Sequence, residues 1–506
     1  VIDRRAAWTL PLLVLGIAVS TLALSEEPTS RPLAVQPTAA PPPTARPAPA
    51  TALPVGPLRW ILAGGGPSPD LNQVQIEQDL LLAREVLAPL GPGLVLYAGG
   101  PGSRAVQVLD PGAAPDALLE ELGTLLDPRS GRNASYREAA VPADGPASAE
   151  AILAALEGAL TDGDGPLTVY VAGHGLGGEQ PNESRVLTWG PGDLWVEDVA
   201  SVLDELPGHR PLRLVVTTCY SGGWAELAFA AADPEQGAAT TDRCGLFATS
   251  WDRTASGCDP NPDRGAQEGY GIHFLQALRG LDRHGEPLAP ERLDLDSDGA
   301  VSLLEAHTRA RIESRSLDVP VTTSSRFLRA VTDPDAATPE RAPTPSLPEE
   351  DAVIEALTRR LGLARPEQAF AHLERETAEL EGLATRLDEL DQEVARAEEI
   401  LIAALLHRWP MLDDPWHPRF ASTFASERDA IAAFLAESGE AARRRELTEE
   451  RDRLAEEHDR RLVASAPLER LVDALETVEL ATQLYATGGR HWLRYQALLT
   501  CERSPP

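Results

Sequence analysis

Five short apolar runs alternate with stretches of helical periodicity, and this alternation limits the chain most severely. Residues 58–63 (LRWILA), 94–97 (LVLY), 167–172 (LTVYVA), 212–217 (LRLVVT) and 245–250 (GLFATS) have the length and apolar content of buried strands. Between and after them, residues 72–87, 149–160, 193–206, 221–232 and 270–281 carry helix-period patterns. Strands separated by helices predict a mostly parallel sheet covered on both faces, an α/β unit spanning residues 58–335.

In such sheets the ligand sits beyond the carboxyl ends of the strands. Two chemically able side chains fall there. His174 follows the third strand and Cys219 follows the fourth, in the run TTCYSGG. A thiol needs a base to become a nucleophile, and an imidazole can take that proton and later give it to a leaving amine. Gly175 lets backbone approach a substrate, so the amides of Gly175 and Cys219 are the candidate donors to an oxyanion. Read singly, each residue has a plain structural role: a small apolar thiol ending a core strand, or a packed histidine. Their order and flanking glycines favour a dyad.

The blocks VYVAGHG (169–175) and VVTTCYSG (215–222) resemble the His-Gly and Cys blocks of caspase-fold cysteine peptidases, most of all the legumain-like branch. The segments ATSWDRTASGC (248–258) and YGIHF (270–274), and the hairpin-like VLTW (186–189), are similar to the same branch. The resemblance covers about half of the chain. It implies a caspase-like sheet and hydrolysis of a peptide or protein substrate through an acyl-enzyme. His174 would be general base and acid, and Cys219 the nucleophile. Some relatives transfer the acyl group to an amine, so a transamidase or ligase on the same dyad is an alternative; a scaffold protein with a disused site is another. The resemblance implies a substrate-binding role for Thr217, two residues before the Cys, and Ser250 and Asp252, at and just past the end of the fifth strand, are further candidate substrate-binding residues. Thr217 is short and uncharged where the family is commonly acidic or Gln, so no side-chain preference carries over. Asp252 could give the pocket a negative wall and Arg253 the reverse.

Composition removes other classes. The chain has 506 residues and a net charge of −33, the wrong sign for nucleic acid or an anionic lipid surface. It contains no Lys, so Gly64–Gly66 and the Gly-rich run 99–102 are not phosphate-binding P-loops. No organic cofactor is expected. Four cysteines are too few for a disulfide framework, although Cys244 and Cys258 lie close enough in sequence to pair.

Residues 294–305 (DLDSDGAVSLLE) match a twelve-residue calcium loop: Asp294, Asp296 and Asp298 converge, Gly299 makes the sharp turn, Ala300 offers its carbonyl, and Glu305 binds through both oxygens. Pro287 and Pro290 precede it, so a lone structural loop is expected rather than a paired sensor. At the other end, Arg4-Arg5 precedes an apolar run at 6–24. That pattern predicts a signal peptide or membrane anchor (1–25), a Pro/Ala-rich spacer (26–57), and export to the periplasm or cell exterior, secreted or tethered. A second Pro-rich linker (336–350) leads to a helical region (351–506). There Leu373, Leu380, Leu387, Val394 and Leu401 repeat every seven residues. An antiparallel hairpin or small bundle is expected, with an intermolecular helical partner through 370–406 as the alternative. Further helices are expected at 427–463 and after Pro467. His407, His491 and Trp492 read as packing residues.

Overall fold

The computed structural model describes residues 56–109, 116–126, 135–206, 208–333 and 343–506. The apolar run at 6–24, nearly all of the spacer and the first part of the 336–350 linker lie outside the described residues. The strands are β1 (Trp60–Gly65), β2 (Gly93–Tyr97), β3 (Val106–Val108), β4 (Ser135–Arg137), β5 (Leu167–Gly173), β6 (Gly175–Leu176), β7 (Arg185–Leu187), β8 (Asp193–Trp195), β9 (Leu212–Val216), β10 (Arg243–Phe247) and β11 (Val321–Thr322). The helices are α1 (Val74–Leu87), α2 (Ala117–Leu125), α3 (Ala149–Thr161), α4 (Val196–Glu205), α5 (Tyr270–Leu278), α6 (Leu303–Glu313), α7 (Thr323–Val331), α8 (Pro348–Arg360), α9 (Gln368–Arg408), α10 (Phe420–Glu437), α11 (Gly439–Thr487) and α12 (Gly489–Glu502).

The fold is α/β, with a central sheet in the order β11-β10-β9-β5-β1-β2. Its strands are parallel except β11, which pairs antiparallel with β10. All five expected strands belong to it. Side chains alternate between its faces. Leu62, Val95, Tyr170, Val215 and Leu246 pack with α1, α5 and α6, whereas Ile61, Leu94, Val169, Leu214 and Phe247 pack with α3 and α4. Burial on both faces is why these runs read as continuously apolar, each large aliphatic contributing about 1.5–3 kcal/mol. The 186–189 hairpin appears as β7 within a small antiparallel sheet, β6-β7-β8.

The 221–232 segment departs from expectation. It folds as two 3-10 turns, Ser221–Ala228 and Ala230–Ala232, with Ala231 and Ala232 at positive φ. Gly222 and Gly223 pack so tightly on Ser250–Trp251 and Pro181–Ser184 that no Cβ fits. Glycines serve that approach while weakening an α-helix.

Two C-terminal boundaries also differ. The helix expected at 427–463 divides at Ser438, whose hydroxyl accepts from the Ala441 N–H and caps α11. Helix α11 then runs straight through Pro467 instead of stopping before it. An interior proline costs about 3 kcal/mol. Here Leu468, Leu471 and Val472 bury against Val353 and Leu357 of α8 and Ala369 of α9, which offsets that cost. Helices α9 and α11 form the antiparallel pair. Along α9, Glu376, Asp391 and Glu398 meet Arg461, Arg451 and Arg444 in descending order. Among the described residues no helix is long and apolar enough to cross a membrane.

Candidate active site

Strands β5 and β9 are neighbours, so His174 and Cys219 emerge at the same edge of the sheet. The Thr217 N–H donates to the Val171 carbonyl at 2.9 Å, extending the ladder one step beyond β9. Tyr220 then takes the left-handed conformation (φ 56°), a strained turn for a non-glycine residue that reverses the chain just after the thiol. The glycines beside His174 have direct steric causes. At Gly173 a Cβ would strike the Gly65 carbonyl, and at Gly175 it would strike the Cys219 carbonyl and the Thr218 hydroxyl. His174 is thus held in a thread of backbone passing between β1 and the Cys219 turn.

The two candidate catalytic groups occupy one edge but do not bond each other among the described contacts. The His174 Nε2 lies 2.8 Å from Gln73 Oε1. Burial lowers the imidazole pKa, opposed by a hydrogen bond to the Leu71 backbone. The Gln73 amide can present either its oxygen or its NH2, so this contact orients the ring in either neutral tautomer. The Cys219 Sγ accepts from the Ala255 N–H at 3.3 Å and faces the Ala255 carbonyl at 3.7 Å. Burial raises its pKa, the Ala255 N–H opposes that, and the Asp318 carboxylate adds to it.

The segment after β10 packs along the Cys219 turn and reaches the Gly173 carbonyl. The Tyr220 N–H donates to the Arg253 carbonyl at 2.8 Å. The Arg253 guanidinium makes a two-pronged ion pair with Glu469 of α11. Buried Asp318 accepts from the Ser256 N–H (2.7 Å) and the Tyr270 N–H (3.0 Å). Arg470, fully buried with its pKa lowered to about 10 by desolvation, donates to the carbonyls of Ser314, Ser316 and Asp318. Asp252 is exposed and accepts from the Ser250 hydroxyl at 2.6 Å. The Thr217 hydroxyl donates to the Val171 carbonyl. Arg253, committed to Glu469, supplies no free positive wall.

Cys258 corrects the expected pairing. It remains a free thiol whose Sγ lies 3.8 Å from the Gly173 carbonyl, and its pKa is raised by burial and by Cys219. Cys244 is bonded instead to Cys501. Cys244 sits on β10 in a cluster with Leu498 and Tyr495 of α12, while the following loop carries Cys258 to the carboxyl edge. Gln73, Asp318 and Glu469 are not marked out in the sequence, and Ala255 and Cys258 are marked only as part of the 248–258 block and, for Cys258, as a disulfide candidate. Gln73 sits eight residues past the end of β1, immediately before α1, where nothing in the sequence sets it apart.

In the acidic loop, carboxylate oxygens of Asp294, Asp296 and Glu305 converge within 4.8 Å of one another. Asp298 is not in that convergence; it accepts from the Ala300 N–H at 2.8 Å, as Asp294 and Asp296 accept from the Asp298 N–H at 3.0 and 3.1 Å. Gly299 has φ 91°, and Ser302 and Glu305 form a capping box that starts α6. A 3-10 turn, Pro290–Arg292, replaces an incoming helix, as the prolines predict. The donor set suits a hard, oxygen-seeking cation.

No protein-family model matches this chain, and no curated protein sequence matches it.

Proposed function

We propose that this chain is a cysteine endopeptidase of caspase-like fold, similar to the legumain branch, with Cys219 as nucleophile and His174 as general base and acid. The carrying observation is that two adjacent parallel strands deliver the two residues to one sheet edge, with Gly175 packed on the Cys219 carbonyl. The lowered imidazole pKa and raised thiol pKa favour a neutral pair at rest, so the proton moves once a substrate carbonyl is present. His174 takes the Cys219 proton, and the sulfur bonds to the carbonyl carbon. The oxyanion is met by the amides of Gly175 and Cys219. His174 then returns the proton to the departing amine, and water it activates hydrolyses the thioester. In the resting arrangement the ring bonds Gln73 and the thiol bonds Ala255, so substrate displaces at least one of these contacts.

The Cys219→Ala variant is expected to lose all labelling by a thiol-reactive peptide probe that the parent takes up. Labelling that persists on Cys219→Ala would falsify the assignment of the nucleophile. Offering an amine alongside a cleavable peptide separates hydrolysis from acyl transfer, because ligated product appears only in the second case.

The same reading gives the acidic loop a structural calcium ion, held by Asp294, Asp296 and Glu305 with the Ala300 carbonyl. Calcium at a hundredfold excess over its dissociation constant stabilises by about 2.7 kcal/mol. The melting temperature is therefore expected to rise with calcium, fall on chelation, and respond to neither in Asp294→Asn. The Cys244–Cys501 bond supports an oxidising, exported location.

A further inference from the structure

Two adjoining cavities of about 600 and 400 Å³ flank α6, the larger between α6 and α8 and the smaller between α6 and α5 with the loop that follows it. Arg292, Arg309, Glu313 and Arg315 line both. Five arginines and three glutamates line the larger one. That is a local excess of positive charge in a chain whose net charge is −33.

The charges are also poorly matched. Arg292 and Arg309 share a single oxygen of Glu313, so one carboxylate answers two guanidiniums. The Arg309 side chain is 7% exposed, and its Nε is buried with no hydrogen-bond partner. Arg360 donates to the carbonyls of Ile312 and Ser314, and among the described ion pairs neither Arg360 nor Arg315 has a carboxylate partner. Burial works against the charge of Arg309 and of Arg360; Arg292 adds to this at Arg309 and Arg315 at Arg360, while Glu313 opposes it at both and Glu268 at Arg360. Like charges gathered in a cleft, with one buried donor unmet, are the reverse of what stability alone selects. A multivalent anion supplies the missing charge and the missing acceptors, and a guanidinium fork suits phosphate or carboxylate oxygens.

We propose that this cleft binds a small oxyanion bearing at least two negative charges, of phosphate or polycarboxylate class, through Arg292, Arg309, Arg315 and Arg360. The site is separate from Cys219 and stands whether or not the chain is a peptidase.

The test is calorimetric titration of the full chain with inorganic pyrophosphate and, in parallel, with citrate, at about 0.1 M salt, where exposed charges are screened beyond about 10 Å. Excess EDTA removes any bridging metal. Saturable binding of either anion is expected, and the stronger of the two identifies the oxygen chemistry. Arg315→Gln and Arg360→Gln remove guanidiniums that hold no carboxylate, and each is expected to weaken binding about tenfold or more. Arg309→Gln is expected to do the same, with circular dichroism checking that it folds. Arg386→Gln, on the exposed face of α9, should bind as the parent does. Absence of saturable heat with both anions overturns the proposal. Binding that Arg315→Gln and Arg360→Gln leave unchanged overturns it equally.

Discussion

Burial acts on both members of the candidate dyad so as to keep them uncharged, and this sets how the thiol should react. Cys219 has a raised pKa and Cys258, beside it, a strongly raised one. Alkylation by iodoacetamide is therefore expected to accelerate only above the ordinary thiol range of about 8.5. Cys219 should be modified before Cys258, read by peptide mass mapping across pH. A half-maximal rate near neutral pH would contradict a neutral resting pair. Gln73 governs the partner. Gln73→Ala is expected to lower kcat about tenfold, to leave KM nearly unchanged and to move the acidic limb of the pH profile. Gln73→Glu should restore orientation and shift that limb upward, since a carboxylate favours imidazolium. His174, Gly175 and Cys219 were legible because each follows a strand end and because close packing demands glycine there. Gln73 and Asp318 were not, since nothing local distinguishes a positioning amide or a buried carboxylate from ordinary polar residues.

At the level of elements, the long helices were legible from periodicity, and their interruptions were not. Pro467 reads as a stop because its missing N–H is a local fact, whereas the packing of Leu468 and Leu471 that outweighs it is a tertiary one. The same limit hides how α12 is seated. Glu502 near its end is fully buried, and accepts from the Thr323 hydroxyl, the Ser324 N–H and the Ser324 hydroxyl. Desolvation raises its pKa from 4.5 to about 7, with those hydrogen bonds opposing. A carboxyl with a raised pKa is held protonated more tightly when folded than when unfolded. Its stabilising effect is thus complete below about pH 4.5 and disappears as pH rises through about 7. The Glu502→Gln variant removes this dependence. Its melting temperature minus that of the parent should climb by several degrees between pH 4.5 and pH 7.5 and then level off. A difference that is flat over that window would mean Glu502 does not titrate as its burial requires.

Across the whole molecule, the helical region is built into the α/β unit at several points. Glu469 and Arg470 of α11 brace the segment beside Cys219, Arg311 of α6 pairs with Glu350 of α8 and Asp473 of α11, and the Ser504 hydroxyl accepts from Arg213 of β9. The strongest link is Cys244–Cys501, across a separation of 257 residues. On a chain-entropy argument, closing so long a loop contributes about 5 kcal/mol. Cys501→Ser is expected to lower the melting temperature by several degrees, and a reductant should lower the parent's to match while leaving the variant's unchanged. The location of this bond also governs what a nick in the polypeptide would do. A cut at any peptide bond between residues 244 and 501 yields two fragments that still share one covalent link, one of them ending in the α12 helix. Such a nicked molecule would migrate as a single species until a thiol is added, and then separate into two. Processing between those positions would therefore rearrange the chain without releasing either piece.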